Sequence, residues 1–260
     1  MSEQSVQLAK FRVFSVLGES FSILFRNIVP FGLISILIMS PTYIYVYVSD
    51  PYSVAQDPVF LATSLIDIIL SYFLTAVLVF GVFQSLRGQP VSIYQSLMQG
   101  IRVLIPVIGV VVIMGLIWAA MGGLAFGATF ALSGTGGAII SVVVVVLALY
   151  VTCILWVIVP AAVVEGRVLS SFGRSMYLTK GNRWRVFGLL ILVGIISGIV
   201  GQIASSVGAA IGSNSSIILL TWAATAMTSA IGAVVVTVAY YRLCLIKDGV
   251  PEDEIAAVFD

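Results

Sequence analysis

Histidine is absent from the 260 residues of this chain. That excludes imidazole proton relays, histidine metal ligands and any Ser-His-Asp machinery. Charge is scarce too: 9% of residues are Asp, Glu, Lys or Arg, where soluble domains carry about a quarter. The formal net charge is +1, and no polar stretch is long enough to form a soluble domain, which excludes nucleic acid as a partner. Cysteine is limited to Cys153 and Cys244, both within or at the end of apolar runs. They read as buried free thiols, because two ligands alone make no metal site. No Gly-rich phosphate loop with its lysine occurs, and no cofactor fingerprint, so no cofactor is expected.

What fills the chain instead is apolar. Hydrophobic residues make up 60% of it, with a mean hydropathy of +1.17. Several runs exceed the roughly 20 residues needed to cross a hydrocarbon core about 30 Å thick. The expected fold is all-α, a polytopic membrane protein with six transmembrane helices near 28–48, 59–83, 103–124, 138–159, 186–207 and 217–240. The third is followed by a Gly-rich, small-residue stretch through Gly137. Val142–Val146 is a β-branched run, but a backbone in lipid must satisfy itself, so helix wins. Pro30 sits in the first turn of its span, where proline is tolerated, and Pro160 is expected to end or kink the fourth span before Glu165. Tyr43, Tyr45, Tyr47 and Tyr52 form an aromatic belt at the far end of the first span. The first ten residues are polar, and the first apolar run is too long for a signal-peptide h-region, so it is expected to act as its own insertion signal.

Before the first span, Phe14, Leu17, Phe21 and Leu24 recur at helical spacing, opposite Arg12, Ser15, Glu19, Ser22 and Arg26. That pattern predicts an amphipathic helix lying in the membrane interface. A related basic segment, GRVLSSFGRSMYLTKGNRWRVFG, covers Gly166–Gly188. Moving residues 12–27 by 155 positions places Arg12, Val13, Ser15, Gly18, Ser20 and Asn27 on identical residues, and maps Phe14, Leu17 and Phe21 onto Leu169, Phe172 and Met176. A shift of 76 gives a weaker middle copy, with Ser20/Ser96, Arg26/Arg102 and Pro30/Pro106. The expected unit is one cytoplasmic amphipathic helix and two spans, three times over, at about 10–87, 88–165 and 166–247, with 248–260 as a short cytoplasmic tail. All twelve Lys and Arg lie before span one, between spans two and three, between four and five, or after six. By the positive-inside rule both termini and all three amphipathic helices face the cytoplasm.

Three stretches carry a family resemblance: SFSILFRNIVPF at 20–31, VVEGRVLSSFGRSMYLTKGNRWRVFGLLIL at 163–192, and AYYRLCLIKDGVPEDEIAAVFD at 239–260. They resemble the glycerophosphoryl diester phosphodiesterase membrane domain and the related YciC-like bacterial membrane proteins of unassigned function. The resemblance implies a multi-pass protein of the bacterial cytoplasmic (inner) membrane. It transfers no catalytic residues, since no soluble phosphodiesterase domain accompanies the spans.

Asp67 is the one ionisable residue well inside a span. It is a candidate ion or proton site, against a neutral acid bonded to Thr63, Ser64 or a neighbouring helix. Gln202, with Ser205 and Ser206, gives the fifth span a polar face. Arg167, Arg174, Lys180, Arg183 and Arg185 could hold anionic lipid headgroups or serve only to fix topology, with Glu165 as a salt-bridge partner and Trp184 as an interfacial anchor. Glycine pairs at four-residue spacing, Gly123/Gly127, Gly194/Gly198 and Gly208/Gly212, permit close helix approach. The acidic turn Glu252–Glu254 after Pro251 reads as a solvated helix start. The function expected is non-enzymatic: an accessory or scaffold protein working with membrane lipids or with another membrane protein complex. The competing expectation is a transporter or lipid-handling protein. Homo-oligomerisation is left open.

Overall fold

A computed structural model describes residues 11–48, 59–131 and 135–249. The described residues are helical almost throughout, with no strand among them. In order the helices are α1 (Val13–Arg26), α2 (Ile28–Val48), α3 (Val59–Leu86), α4 (Ile93–Arg102), α5 (Leu104–Ala131), α6 (Thr135–Leu155), α7 (Ile158–Glu165), α8 (Val168–Thr179), α9 (Arg183–Ile211) and α10 (Asn214–Asp248). Six stretches are long and apolar enough to cross a membrane: Ile28–Tyr47, Thr63–Leu86, Leu104–Ala131, Thr135–Glu165, Arg183–Ile211 and Asn214–Asp248. Tyr52, Asp50, Asp57, Lys10 and the acidic turn at 252–254 lie outside the described residues.

The bundle is built around α10, which packs on α1, α2, α3, α7, α8 and α9. Its C-terminal half buries Ala230, Val234, Val238, Ala239 and Leu243 completely. Small and β-branched side chains there let helices approach from several sides, which is how helices associate where lipid removes the hydrophobic drive. Second in burial is α3, through Leu74, Val77, Leu78, Val79 and Val82. The outer helices α5, α6 and α9 leave large apolar side chains uncovered. On α9 the exposed ridge Ile191, Ile195, Ile199, Ile203, Val207, Ile211 repeats every fourth residue. In water such a ridge would drive aggregation, while against acyl chains it costs nothing.

Several boundaries differ from the sequence expectation. The Gly-rich stretch after the third span is helical through Ala131, so α5 is longer than 103–124. Likewise α10 continues past Tyr240 to Asp248. Its 35 residues span about 52 Å at 1.5 Å per residue, more than a bilayer core needs. The extra turns carry Arg242, Lys247 and Asp248 beyond the apolar core. In the fourth span the break falls at Trp156 and Val157, ahead of Pro160, which occupies the first turn of α7. The reason is local: a proline ring clashes with the carbonyl four residues back, so the helix must open before it.

That break has a specific remedy. The carbonyl of Ile154 accepts from Ser175 Oγ at 2.8 Å and from Thr179 Oγ1 at 3.3 Å, both hydroxyls buried on α8. A carbonyl at a helix break inside lipid must find such partners. Replacing both, Ser175→Ala with Thr179→Val, should lower stability by about 2 kcal/mol through an orphaned buried acceptor. Thermal melting in neutral detergent would show it, and an unchanged melt would mean the carbonyl is met elsewhere.

The amphipathic helix α1 packs on the bundle. On α1 the buried residues are Val16, Leu17, Ser20, Ile23 and Leu24, facing α10, while Phe14 and Phe25 stay exposed. The apolar surface is therefore wider than the Phe14–Leu17–Phe21–Leu24 stripe, with one part for protein and one for lipid. Glu19, expected on the polar face, pairs with Arg242 of α10 at 2.8 Å.

Candidate functional site

Between α8 and α9 the chain turns through Lys180, Gly181 and Asn182. Gly181 has φ +88°, a left-handed conformation that costs other residues about 1 kcal/mol or more. Asn182 closes the turn: its N–H donates to the Thr179 carbonyl, its own carbonyl accepts from Arg185 and Val186, and its side-chain oxygen accepts from Arg185 Nη1 at 3.0 Å. This turn sets Lys180 and Arg183 at the mouth of a groove between α6 and α9.

The groove encloses about 800 Å³ and is walled by Val146, Leu149, Cys153, Trp184 and Phe187. Its charged lining residues are Lys180 and Arg183, with no carboxylate among them. Arg183 is fixed against Tyr150, donating from Nη1 to the phenolic oxygen, and its guanidinium carbon lies 5.2 Å from the ring centroid. Arg183 Nε, by contrast, is buried and has no hydrogen-bond partner. An unmet buried donor on a cation costs on the order of 1–3 kcal/mol, so the site is short of one acceptor. Trp184 is 85% exposed and meets Phe187 edge-on with centroids 6.0 Å apart, the placement of an interfacial anchor.

Not all of the basic cluster belongs to the groove. Arg174 is committed elsewhere, with Nε 3.5 Å from Glu165 Oε1 at the end of α7 and Nη2 2.5 Å from Asp248 Oδ2 at the end of α10. Burial opposes its charge most strongly, but the hydrogen bond to Asp248 and the electrostatic pull of Cys244, Tyr240 and Asp248 together outweigh it and hold the guanidinium above its ordinary pKa. Glu165, a salt-bridge candidate from sequence, lies beside Arg174, one of the cluster weighed either as headgroup ligands or as topology residues. Arg185 steadies Asn182 and is exposed, as is Arg167 at the start of α8.

A second cavity, of about 300 Å³, lies among α3, α5, α6, α7 and α10. Thr75, Thr152 and Ser229 line it, with Tyr72, Trp118 and Trp156. Thr75 Oγ1 donates to the Ser71 carbonyl and Thr152 Oγ1 to the Ala148 carbonyl, which leaves their oxygens as acceptors. Asp67 is not among the residues lining this cavity. It is half-buried on α3, within electrostatic reach of Tyr43 on α2, whose ring packs 6.0 Å from Trp222. Gln202 points away from the bundle, on the exposed side of α9. Sequence reasoning missed the hydroxyls because it sought ionisable groups. Their equal spacing of 77 residues, 75 to 152 to 229, is the signal that would have found them.

Among the described residues no group of three or more Cys, Asp or Glu side chains could hold a metal ion. No curated protein and no solved structure matches the chain. The family described as Domain of unknown function (DUF7847) matches residues 92–243, from the cap of α4 into α10. That is more than half of the chain, and the protein belongs to this family.

Proposed function

We propose that the protein is a non-enzymatic, multi-pass membrane scaffold that holds an anionic phospholipid in the groove between α6 and α9. The observation that carries this is the apolar groove whose charged lining residues are Lys180 and Arg183, with no carboxylate among them. A lipid phosphate at the mouth has Lys180 and the Arg183 guanidinium to meet, and its acyl chain has Val146, Leu149 and Phe187 to lie against. The long uncovered ridge of α9 supports residence in lipid, and another membrane protein complex is a further partner in this reading. Kinship with the phosphodiesterase membrane domain, and with it the bacterial cytoplasmic membrane, belongs to the same proposal.

The architecture we infer is threefold: units 10–87, 88–165 and 166–247, with both termini cytoplasmic. Ile28, Leu104 and Arg183 open α2, α5 and α9 at offsets of 76 and 155. At those same offsets Ser20, Ser96 and Ser175 are all buried, as are Leu24, Gly100 and Thr179. The equivalent positions 19, 95 and 174 each reach the end of the span that precedes them around a ring. Glu19 pairs with Arg242, Gln95 accepts from Gln84 at 2.9 Å, and Arg174 pairs with Glu165. These shared side-chain roles support the repeat.

The test is native mass spectrometry from nanodiscs of mixed phosphatidylglycerol and phosphatidylcholine. Wild type should retain phosphatidylglycerol, and Arg183→Gln should cut its retention about five- to tenfold, the loss of roughly 1 kcal/mol per cationic contact. Arg167→Gln, exposed and off the groove, should behave as wild type. Equal retention by Arg183→Gln would end the lipid proposal.

Transport is the second reading, favoured by the hydroxyl-lined cavity. There Asp67→Asn should abolish a pH- or ion-dependent flux in proteoliposomes at normal expression. Unchanged flux would remove Asp67 from that reading and leave the cavity to carry it.

A further inference from the structure

The cavity among α3, α5, α6, α7 and α10 has a chemistry distinct from that of the basic groove. Thr75, Thr152 and Ser229 reach it from three different spans, each near the middle of its apolar stretch. That is the depth at which a fixed charge is most expensive. The lining matches the depth, because no Asp, Glu, Lys or Arg is part of it. Asp67 stands two turns before Thr75, about 12 Å along the helix axis, and does not line the cavity. The threonine hydroxyls have fixed senses: Thr75 donates to the Ser71 carbonyl at 2.9 Å and Thr152 to the Ala148 carbonyl at 2.8 Å. With those protons spent, both oxygens can only accept, so an occupant has to bring donors. Ser229, Tyr72, Trp118 and Trp156 add hydroxyl, phenol and indole N–H groups to the same lining, and these can donate in return.

An alcohol meets this demand, since one hydroxyl both donates and accepts and carries no charge. An ammonium would satisfy the acceptors but leave its charge unpaired at mid-membrane, and a phosphate or carboxylate would find no cation there. We propose that this cavity binds a neutral, hydroxyl-bearing molecule, with Thr75 and Thr152 accepting from its hydroxyl groups and the rings of Tyr72, Trp118 and Trp156 packing on its carbon skeleton. Its volume of about 300 Å³ is at the small end of ligand pockets, enough for a short polyol or for the alcohol end of a neutral lipid. Both sources offer the same chemistry. The site shares no lining residue with the α6–α9 groove, and it stands whether or not the bound molecule crosses the membrane.

Full-length protein in phosphatidylcholine nanodiscs is titrated with sorbitol and followed by tryptophan emission, because Trp118 and Trp156 line the cavity. In parallel, nanodiscs doped with dioleoylglycerol are examined by native mass spectrometry. A saturable emission change that weakens at least fivefold in Thr75→Val/Thr152→Val, as the loss of two neutral hydrogen bonds should give, assigns the cavity to soluble polyols. No response to sorbitol, with dioleoylglycerol retained by wild type and released by the double variant, assigns it to a lipid alcohol. Binding of neither, or binding that the double variant keeps, overturns the proposal. Arg183→Gln should leave both measurements unchanged, and a loss there would place the bound alcohol in the other groove and overturn it too. Valine keeps the shape of threonine; should the double variant still not fold, Ser229→Ala carries the same test with a two- to threefold loss, and no loss there overturns the proposal as well.

Discussion

Gly208→Val should destabilise the protein more than any other single glycine substitution on α9. A Cβ at position 208 would sit 2.6 Å from the Cα and 3.1 Å from the N of Ile217. Those are backbone atoms of α10, so no rotamer change relieves the clash and the two helices must part. Overpacking of this kind costs about 1–3 kcal/mol for alanine and more for valine. For a chain of this size that is a drop of roughly 5–10 °C in melting temperature. Gly194 and Gly198 share the same four-residue spacing, yet a Cβ at either meets nothing within 4 Å. Alanine there should be neutral or slightly stabilising, since alanine is the better helix former by about 1 kcal/mol. Melting of Gly194→Ala, Gly198→Ala, Gly208→Ala and Gly208→Val in one neutral detergent decides the matter. Similar melts for all four would mean that the α9–α10 contact is not where the structure puts it.

The second large effect is expected at Arg174. Removing its charge with Arg174→Gln leaves Glu165 and Asp248 without their shared cation at the ends of α7 and α10. All three side chains are a quarter exposed or a little more or less, so water repays part of the loss. An effect of about 2 kcal/mol follows, below the 3–5 of a fully buried pair. If charge is the cause, Arg174→Gln/Glu165→Gln/Asp248→Asn should recover most of it, because no unpaired carboxylate is left. A triple variant no more stable than the single one would show that the stem of Arg174, packed near Tyr177 and Cys244, matters more than its charge.

These two cases mark what a linear reading could reach. Six apolar helices were legible because lipid admits no alternative, and the basic segment Gly166–Gly188 stood out by its charge, though not the turn at Lys180–Gly181–Asn182 inside it. Which glycine touches a neighbour was not legible, because Gly194 and Gly208 differ only in what lies opposite them. Nor was the hub. Hydropathy ranks Asn214–Asp248 low at 1.8, against 3.1 for Thr135–Glu165, yet 72% of the former's most apolar window is buried against 33% of the latter's. A span that packs on other helices can use Ala, Thr, Ser and Gly, which lowers its hydropathy, whereas one facing acyl chains needs Val, Ile and Leu. Hydropathy measures the wish for lipid and says little about the wish for protein. The partner of Arg174 was hidden for a related reason: a cation near an apolar run looks the same in sequence whether it waits for a headgroup or already grips Asp248, 74 positions away.

The position of α10 in the chain has a consequence for biogenesis. Of the described helices it is the last to leave the ribosome, and it is the one that covers α1, α2, α3, α8 and α9. Until it is inserted, the inner faces of the earlier helices have only lipid and one another, and Glu19 has no Arg242. The polypeptide therefore commits to its final arrangement in one late step, when the last span threads between the others and joins the first amphipathic helix to the end of the bundle. Chains that stop before 214 would leave these contacts unmade and present themselves to membrane quality control as unfinished.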